Sequence, residues 1–277
     1  MKDIRLNKLA KLLVEYSADI KEGEKVCVMS DETASPWMAE VVKAAVKRGA
    51  IVETYLSSQE VSEIKLRYSN EKQLTTGSFV MEKIAETADV ILTAWGGRNT
   101  KVNAGINSEN IKLKARGDSN WRKVFSKRMG DGTLRWCGTQ FPTYSDAQEA
   151  GMSLSDYEEF VYGAGLLDTD DPAGEWKKIS REQEKWVNYL DTKNEIRIVS
   201  RDTDITASVM GRKWINCDGK VNFPDGEIFT SPIEDRVNGL ISFSFPGIYA
   251  GKEIEGIKLE IKEGCVVHAT ADKGEEL

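Results

Sequence analysis

One histidine, His268, is all that this 277-residue chain offers to chemistry needing an imidazole. Ser-His-Asp and Cys-His relays both need a histidine base, so His268 is the sole candidate for either. It lies in CVVHAT, residues 265–270, an alternating run that reads as a strand. A surface or partly buried strand residue is its ordinary role there. A zinc site built from several histidines is excluded within this chain. Carboxylates are plentiful, and the densest segment around them is Trp214–Pro232, WINCDGKVNFPDGEIFTSP. Glu227 directly follows a Pro-Asp-Gly turn. The turn fixes the backbone on one side of that carboxylate, and Ile228 and Phe229 stiffen it on the other. A carboxylate held this way suits a hard or borderline divalent metal. A solvated turn residue fits the same pattern.

Other groups are weaker candidates. Asp202 and Asp204 fall on one side of the chain if that region is extended. Asp168, Asp170 and Asp171 precede Pro172 and read as caps for the helix it begins. Trp95-Gly96-Gly97 follows an apolar run and could line a crevice at the carboxyl end of a strand. No GxGxxG or GxxxxGK[ST] accompanies it, so nucleotide binding is not supported. Arg98 to Arg135 holds ten Lys/Arg against three Asp/Glu. A solvated or dimer-contacting face explains that excess, and guidance of an anionic group is the alternative.

The elements that must position these residues change in character along the chain. Leu6, Leu9, Leu13 and Tyr16 share a face of an expected helix over 4–18. KVCVMS (25–30) reads as a strand. Ser35 with Pro36 gives a cap and a first-turn proline for a helix with Trp37, Met38, Val41, Val42, Ala45 and Val46 buried. Gly49 stops that helix, and IVETYL (51–56) is the next strand. Strand, helix and strand at this spacing predict a βαβ unit and a parallel sheet. A helix over 79–87, strands over 89–95 and 134–139, and helices over 154–162 and 176–190 continue the pattern. Residues 98–135 read as less regular. From Glu195 the chain turns strand-rich, with strands expected at 195–199, 204–209, 240–245, 257–261 and 265–269. DKGEEL (272–277) resembles the opening of a helix. The fold class is therefore α/β: an N-terminal parallel-sheet domain over 1–192, then the β-rich beginning of a second domain over 193–277.

Composition narrows the function. Acidic residues outnumber basic ones, 45 to 38, for a formal charge of −7, which argues against nucleic-acid binding. No apolar run approaches the ~20 residues of a membrane span. No signal-peptide pattern precedes the first helix. Cys27, Cys137, Cys217 and Cys265 form no CxxC pair and read as buried, reduced thiols of a cytosolic protein.

Several ordered blocks resemble one family. They are Asp204-Ile205-Thr206, Gly211–Trp214 (GRKW), Asn222–Pro232 (NFPDGEIFTSP) and Glu234–Gly239 (EDRVNG). Arg135-Trp136, Phe141-Pro142-Thr143, Ala147-Gln148, Ala150–Ser153 and Gly256–Gly264 fit the same pattern. Together they resemble the M29 metallo-aminopeptidases over nearly the whole chain. Phe223 and Arg236 depart from the residues common there, methionine and serine. The resemblance implies an exopeptidase that removes N-terminal residues from peptides. It also implies a pair of divalent metals, zinc or cobalt, with magnesium or manganese as alternatives. A homodimer in the cytoplasm, with no nucleic-acid or membrane partner, is implied as well. Glu227 maps onto a glutamate that ligates metal in this family. The remaining family ligands are expected beyond Glu275, so the chain is expected to be incomplete and inactive alone. A truncated, non-catalytic folding, dimerisation or peptide-binding module is the alternative, and a small-molecule binder using the Gly96-Gly97 crevice is a third reading.

Overall fold

Asp3 caps the first helix, α1 (Ile4–Leu12), its carboxylate accepting from the Arg5 N–H at 2.8 Å. The structure is a computed structural model that describes residues 3–249 and 252–276. Helix α1 continues as a π-helical turn, Leu13–Ser17. Strand β1 (Lys25–Asp31), helix α2 (Ser35–Lys47) and strand β2 (Ile51–Ser57) form the expected βαβ unit. The strands pair in parallel from Lys25–Ile51 to Asp31–Ser57. Gly49, at φ 83°, takes the left-handed conformation that ends α2. Ser35 is not the cap of α2. A short 3-10 turn, Glu32–Ala34, precedes the helix, and Asp31 caps that turn. Val46, expected in the buried stripe, is exposed.

Helices α3 (Gln59–Tyr68), α4 (Glu71–Thr75) and α5 (Phe79–Thr87) lead to strand β3 (Val90–Trp95). The basic stretch is more regular than its sequence suggests. It holds α6 (Ser108–Gly117) and α7 (Ser119–Gly130) before β4 (Arg135–Gln140). Helix α6 buries only Leu113 and Gly117, and α7 buries no residue, so neither carries an apolar stripe to read. Helices α8 (Tyr144–Glu149), α9 (Leu154–Ala164) and α10 (Pro172–Leu190) follow. Ser153 caps α9 by accepting from the Asp156 N–H. At α10, Asp171 accepts from the Gly174 N–H, while Asp168 instead faces Arg5 at 3.6 Å.

The later strands are β5 (Glu195–Ser200), β6 (Thr203–Ser208), β7 (Ile215–Cys217), β8 (Asn222–Phe223), β9 (Glu227–Phe229) and β10 (Val237–Ser242). Then come β11 (Gly247–Tyr249), β12 (Lys252–Ile254), β13 (Lys258–Lys262) and β14 (Cys265–Thr270). The expected strand over 240–245 begins and ends earlier, as β10. Asp202 is not extended beside Asp204: it sits at φ 54° in the tight β5–β6 connection. The helix expected from Asp272 is absent among the described residues. Lys273 bridges Glu255, and Gly274 has φ 75°. Leu277 lies outside the described residues.

The chain divides into two compact units, Met1–Ile179 with Cys217–Asp225, and Ser180–Asn216 with Gly226–Leu277. The single boundary expected at 192/193 is a different division, because a return segment near 220 rejoins the first unit. That unit holds a five-stranded parallel sheet in the order β2-β1-β3-β4-β8. Trp37, Leu9, Leu13, Val28, Leu92, Trp176 and Phe223 build its main core. Cys27, Ala88, Ile91 and Leu134 form a smaller cluster. The second unit holds an antiparallel sheet in the order β14-β13-β10-β6-β5.

Candidate metal centre

The segment carrying Glu227 is held from its flanks inward. The Trp214 N–H donates to Asp191, and Asn216 Nδ2 donates to the Ser180 carbonyl and the Glu184 carboxylate. These bonds seat β7 beside the α10 helix. Phe223, 2% exposed, packs against Trp176 with ring centroids 5.2 Å apart. The Tyr16 hydroxyl donates to the Asp218 carbonyl at 2.9 Å. Burial first, and then Asp218, push that phenol above its ordinary range. The turn at Pro224-Asp225-Gly226 follows, with the Phe223–Pro224 bond cis and Gly226 at φ 120°. L side chains rarely adopt that φ, so glycine is the residue the turn needs.

Glu227 leaves the turn as the first residue of β9, its side chain exposed. Gln183 Nε2 donates to the Glu227 carbonyl at 2.6 Å. That bond fixes the main chain from which the carboxylate projects. Along this one segment, Cys217 Sγ and one carboxylate oxygen each from Asp225 and Glu227 lie within 4.8 Å of one another. Two hard oxygens and one soft sulfur form a donor set that suits a borderline divalent ion such as zinc or cobalt. On that chemistry the residues present fit a metal.

Sequence reasoning named Glu227 and missed its two neighbours. Asp225 and Glu227 flank Gly226 in one short turn, so that proximity was readable from the sequence. Cys217 was not readable, because its approach depends on the pairing of β7 with β9. The other sequence candidates lie elsewhere. Asp204 is taken by Arg197, whose guanidinium makes two bonds of 2.7 and 2.6 Å and holds that carboxyl below the usual range. His268 is exposed on β14, opposite Glu260. Of the four cysteines expected to be buried, Cys27 and Cys137 are buried and Cys217 is only half-buried. Cys265 is exposed instead, because β14 is covered on neither face.

Comparison with known proteins decides what the blocks around this segment mean. The family model described as "Thermophilic metalloprotease (M29)" matches residues 2–277. The chain belongs to the M29 family. The M29 proteins it resembles include Aminopeptidase 2 of Geobacillus stearothermophilus, 26% identical over 98% of this chain and 71% of the relative. Aminopeptidase AmpS of Bacillus subtilis (strain 168) is 25% identical over 99% of this chain and 72% of its own length. The solved structure of wild-type AmpT from Thermus thermophilus superposes with a TM-score of 0.84 at 22% identity. It covers 99% of this chain and 72% of that one, which establishes the shared M29 fold. Homologues in this family are metal-dependent aminopeptidases, so the enzyme class and the need for divalent metal are set at that level. Among the described residues, no helix is long and apolar enough to cross a membrane.

Proposed function

We propose that this M29 chain serves a metal-dependent aminopeptidase reaction, hydrolysis of the N-terminal residue of peptides, with Glu227 as a metal ligand. One observation carries the assignment of the site. The carboxylate that falls in the family's ligand block also has Asp225 and Cys217 donor atoms within 4.8 Å. Bound divalent metal, as a pair in this reading, supplies an activated water and polarises the scissile carbonyl. The chain's own contribution is positional. Gln183 holds the backbone of Glu227, and Gly226 lets the turn present the carboxylate outward. Asp225 adds negative charge that favours a cation. The thiol among the donors favours zinc or cobalt over magnesium or manganese. The substrate class follows the relatives' names, Aminopeptidase 2 and AmpS. The reading includes a homodimer in the cytoplasm, where Cys27 and Cys137 would stay reduced.

The test is metal affinity, measured by equilibrium dialysis and elemental analysis, alongside hydrolysis of an N-terminal aminoacyl chromogenic amide. Glu227→Ala is expected to lower zinc or cobalt affinity at least about tenfold, and activity with it. Wild-type metal content in Glu227→Ala would overturn the ligand assignment.

A further inference from the structure

A groove of about 710 Å³ runs between strand β2 and helix α5, wholly within the first unit. Strand β2 ends its sheet and, among the described residues, pairs with β1 alone. The Ile51 N–H donates to the carbonyl of Glu24, just before β1, at 2.8 Å. Bonding direction alternates along a strand, so Val52, Thr54 and Leu56 turn their N–H and C=O groups away from β1. Thr54 lines the groove and is exposed. A row of unpaired main-chain donors and acceptors is a template for one more strand.

The walls beside this free edge are apolar. Ile51 and Tyr55 pair in register with Lys25 and Met29, and alternation puts them on the face of β2 that continues from Cys27. Phe79, Val80 and Ile84 of α5 stand across the groove. Helix α5 buries only Ala85, so this flank has no cover. Phe79 is 81% exposed and Ile51 57%. Cys27 and Ala88, both of the smaller core cluster, line the groove between them. An open strand edge beside two apolar walls suits a ligand that offers main-chain groups and apolar side chains together. An extended peptide is that ligand.

Charge gives the peptide a direction. The Asp89 N–H donates to the Lys25 carbonyl at 2.8 Å, which brings the end of α5 beside the start of β1. Lys25 stands there opposite Ile51, and Lys83 lies one turn before Thr87, the last residue of α5. Both lysines line the groove, with Glu53 the only acid in the lining. Lys25 has no ion-pair partner among the described residues. Lys83 meets Glu86 at 3.6 Å, both side chains exposed, and the Asp89 carboxylate accepts from the Lys25 N–H. Two cations against one acid complement a carboxylate. A peptide laid antiparallel to β2 ends where β2 begins, so its C-terminal carboxylate falls at this end.

We infer that this groove binds an extended apolar peptide, which adds to the free edge of β2 as an antiparallel strand with its C-terminal carboxylate at Lys25 and Lys83. The inference does not depend on metal or on the peptidase reading. Fluorescence anisotropy of the full chain, stripped of metal by chelation, tests it. The probe is a peptide of alternating threonine and valine, about six residues long to match β2. Its N-terminus is blocked by fluorescein and its C-terminus is free. Saturable binding is expected, at least about tenfold tighter than for the same peptide with proline in place of threonine, which cannot complete the ladder. Amidation of the C-terminus should weaken binding several-fold. Thr54→Pro removes an outward N–H that β1 does not use, and Phe79→Asp charges the apolar wall. Each should weaken binding at least about tenfold. Circular dichroism establishes that each variant is folded, and either folded variant suffices for the comparison. The assignment is overturned by no saturable binding up to about 1 mM, by equal binding of the proline or amidated peptide, or by wild-type affinity in a folded variant. Sedimentation supplies a further check: a dimer that Thr54→Pro dissociates would give this edge to a second copy of the chain and overturn the peptide assignment.

Discussion

The parallel sheet of the first unit and the antiparallel sheet of the second use similar residues to different ends. Strands β1 and β3 are covered over most of their length, as Val-, Ile- and Leu-rich runs demand when both faces of a parallel sheet are packed. Strands β5 and β14 hold equally apolar residues, yet Ile198, Val199, Val266 and Val267 are each more than half exposed. Among the described residues of the second unit, the buried apolar side chains are Val187, Ile205 and Val209. The first unit has two clusters of its own. Strand propensity makes a strand in either place, but only the first unit converts its apolar strands into a core. Stability should therefore be concentrated there.

The comparison would break first at Trp176, 1% exposed, with its indole N–H donating to the Gly165 carbonyl at 3.0 Å. Trp176→Ala should cost about 3–5 kcal/mol in chemical denaturation, through the cavity it leaves. A loss below about 1 kcal/mol would show that the first core is not the stabilising one.

Cys27 sharpens the contrast through pH. Burial, aided by Glu53, pushes its thiol from the ordinary 9.0 up to about 11. The folded state thus favours the protonated form. That contribution is fully present below pH 9.0 and is lost as pH rises towards 11, up to about 2–3 kcal/mol in all. Denaturation midpoints followed across that window should fall less steeply in Cys27→Ala than in the wild type. An identical slope in both would refute the assignment. In the native protein a thiol reagent should modify exposed Cys265 well before Cys27 or Cys137.

A smaller effect is expected at Ser30, 5% exposed, whose hydroxyl has no hydrogen-bond partner among the described residues. Ser30→Ala should be neutral or stabilising by about 1 kcal/mol, because the substitution removes an unsatisfied buried group. A clear destabilisation would mean that the hydroxyl is satisfied by ordered water. Smallest of all, Val267→Thr on β14 should stay within about 0.5 kcal/mol. A larger loss in thermal denaturation would show that β14 is covered in solution.

Much of this fold was legible from periodicity. Helix α5 and strands β1–β4 fall within about two residues of their expected positions, because β-branched runs and flanking Gly or Ser signal them directly. Helices α6 and α7 were not legible. Charged surface helices that bury little show no stripe. The DKGEEL end misled in the opposite sense, since its acidic residues suit a helix start but its backbone pairs with Glu255 instead.

The sequence alone determined the α/β character of the first part, the M29 resemblance and the turn that presents Glu227. Each rests on local patterning or on residue order, which a linear chain carries completely. Only tertiary structure decided that Cys217 joins Asp225 and Glu227 and that Cys265 is exposed. These depend on which strands lie side by side and on which faces find a cover. Residues far apart in sequence become neighbours only through strand pairing, and no local periodicity encodes that distance.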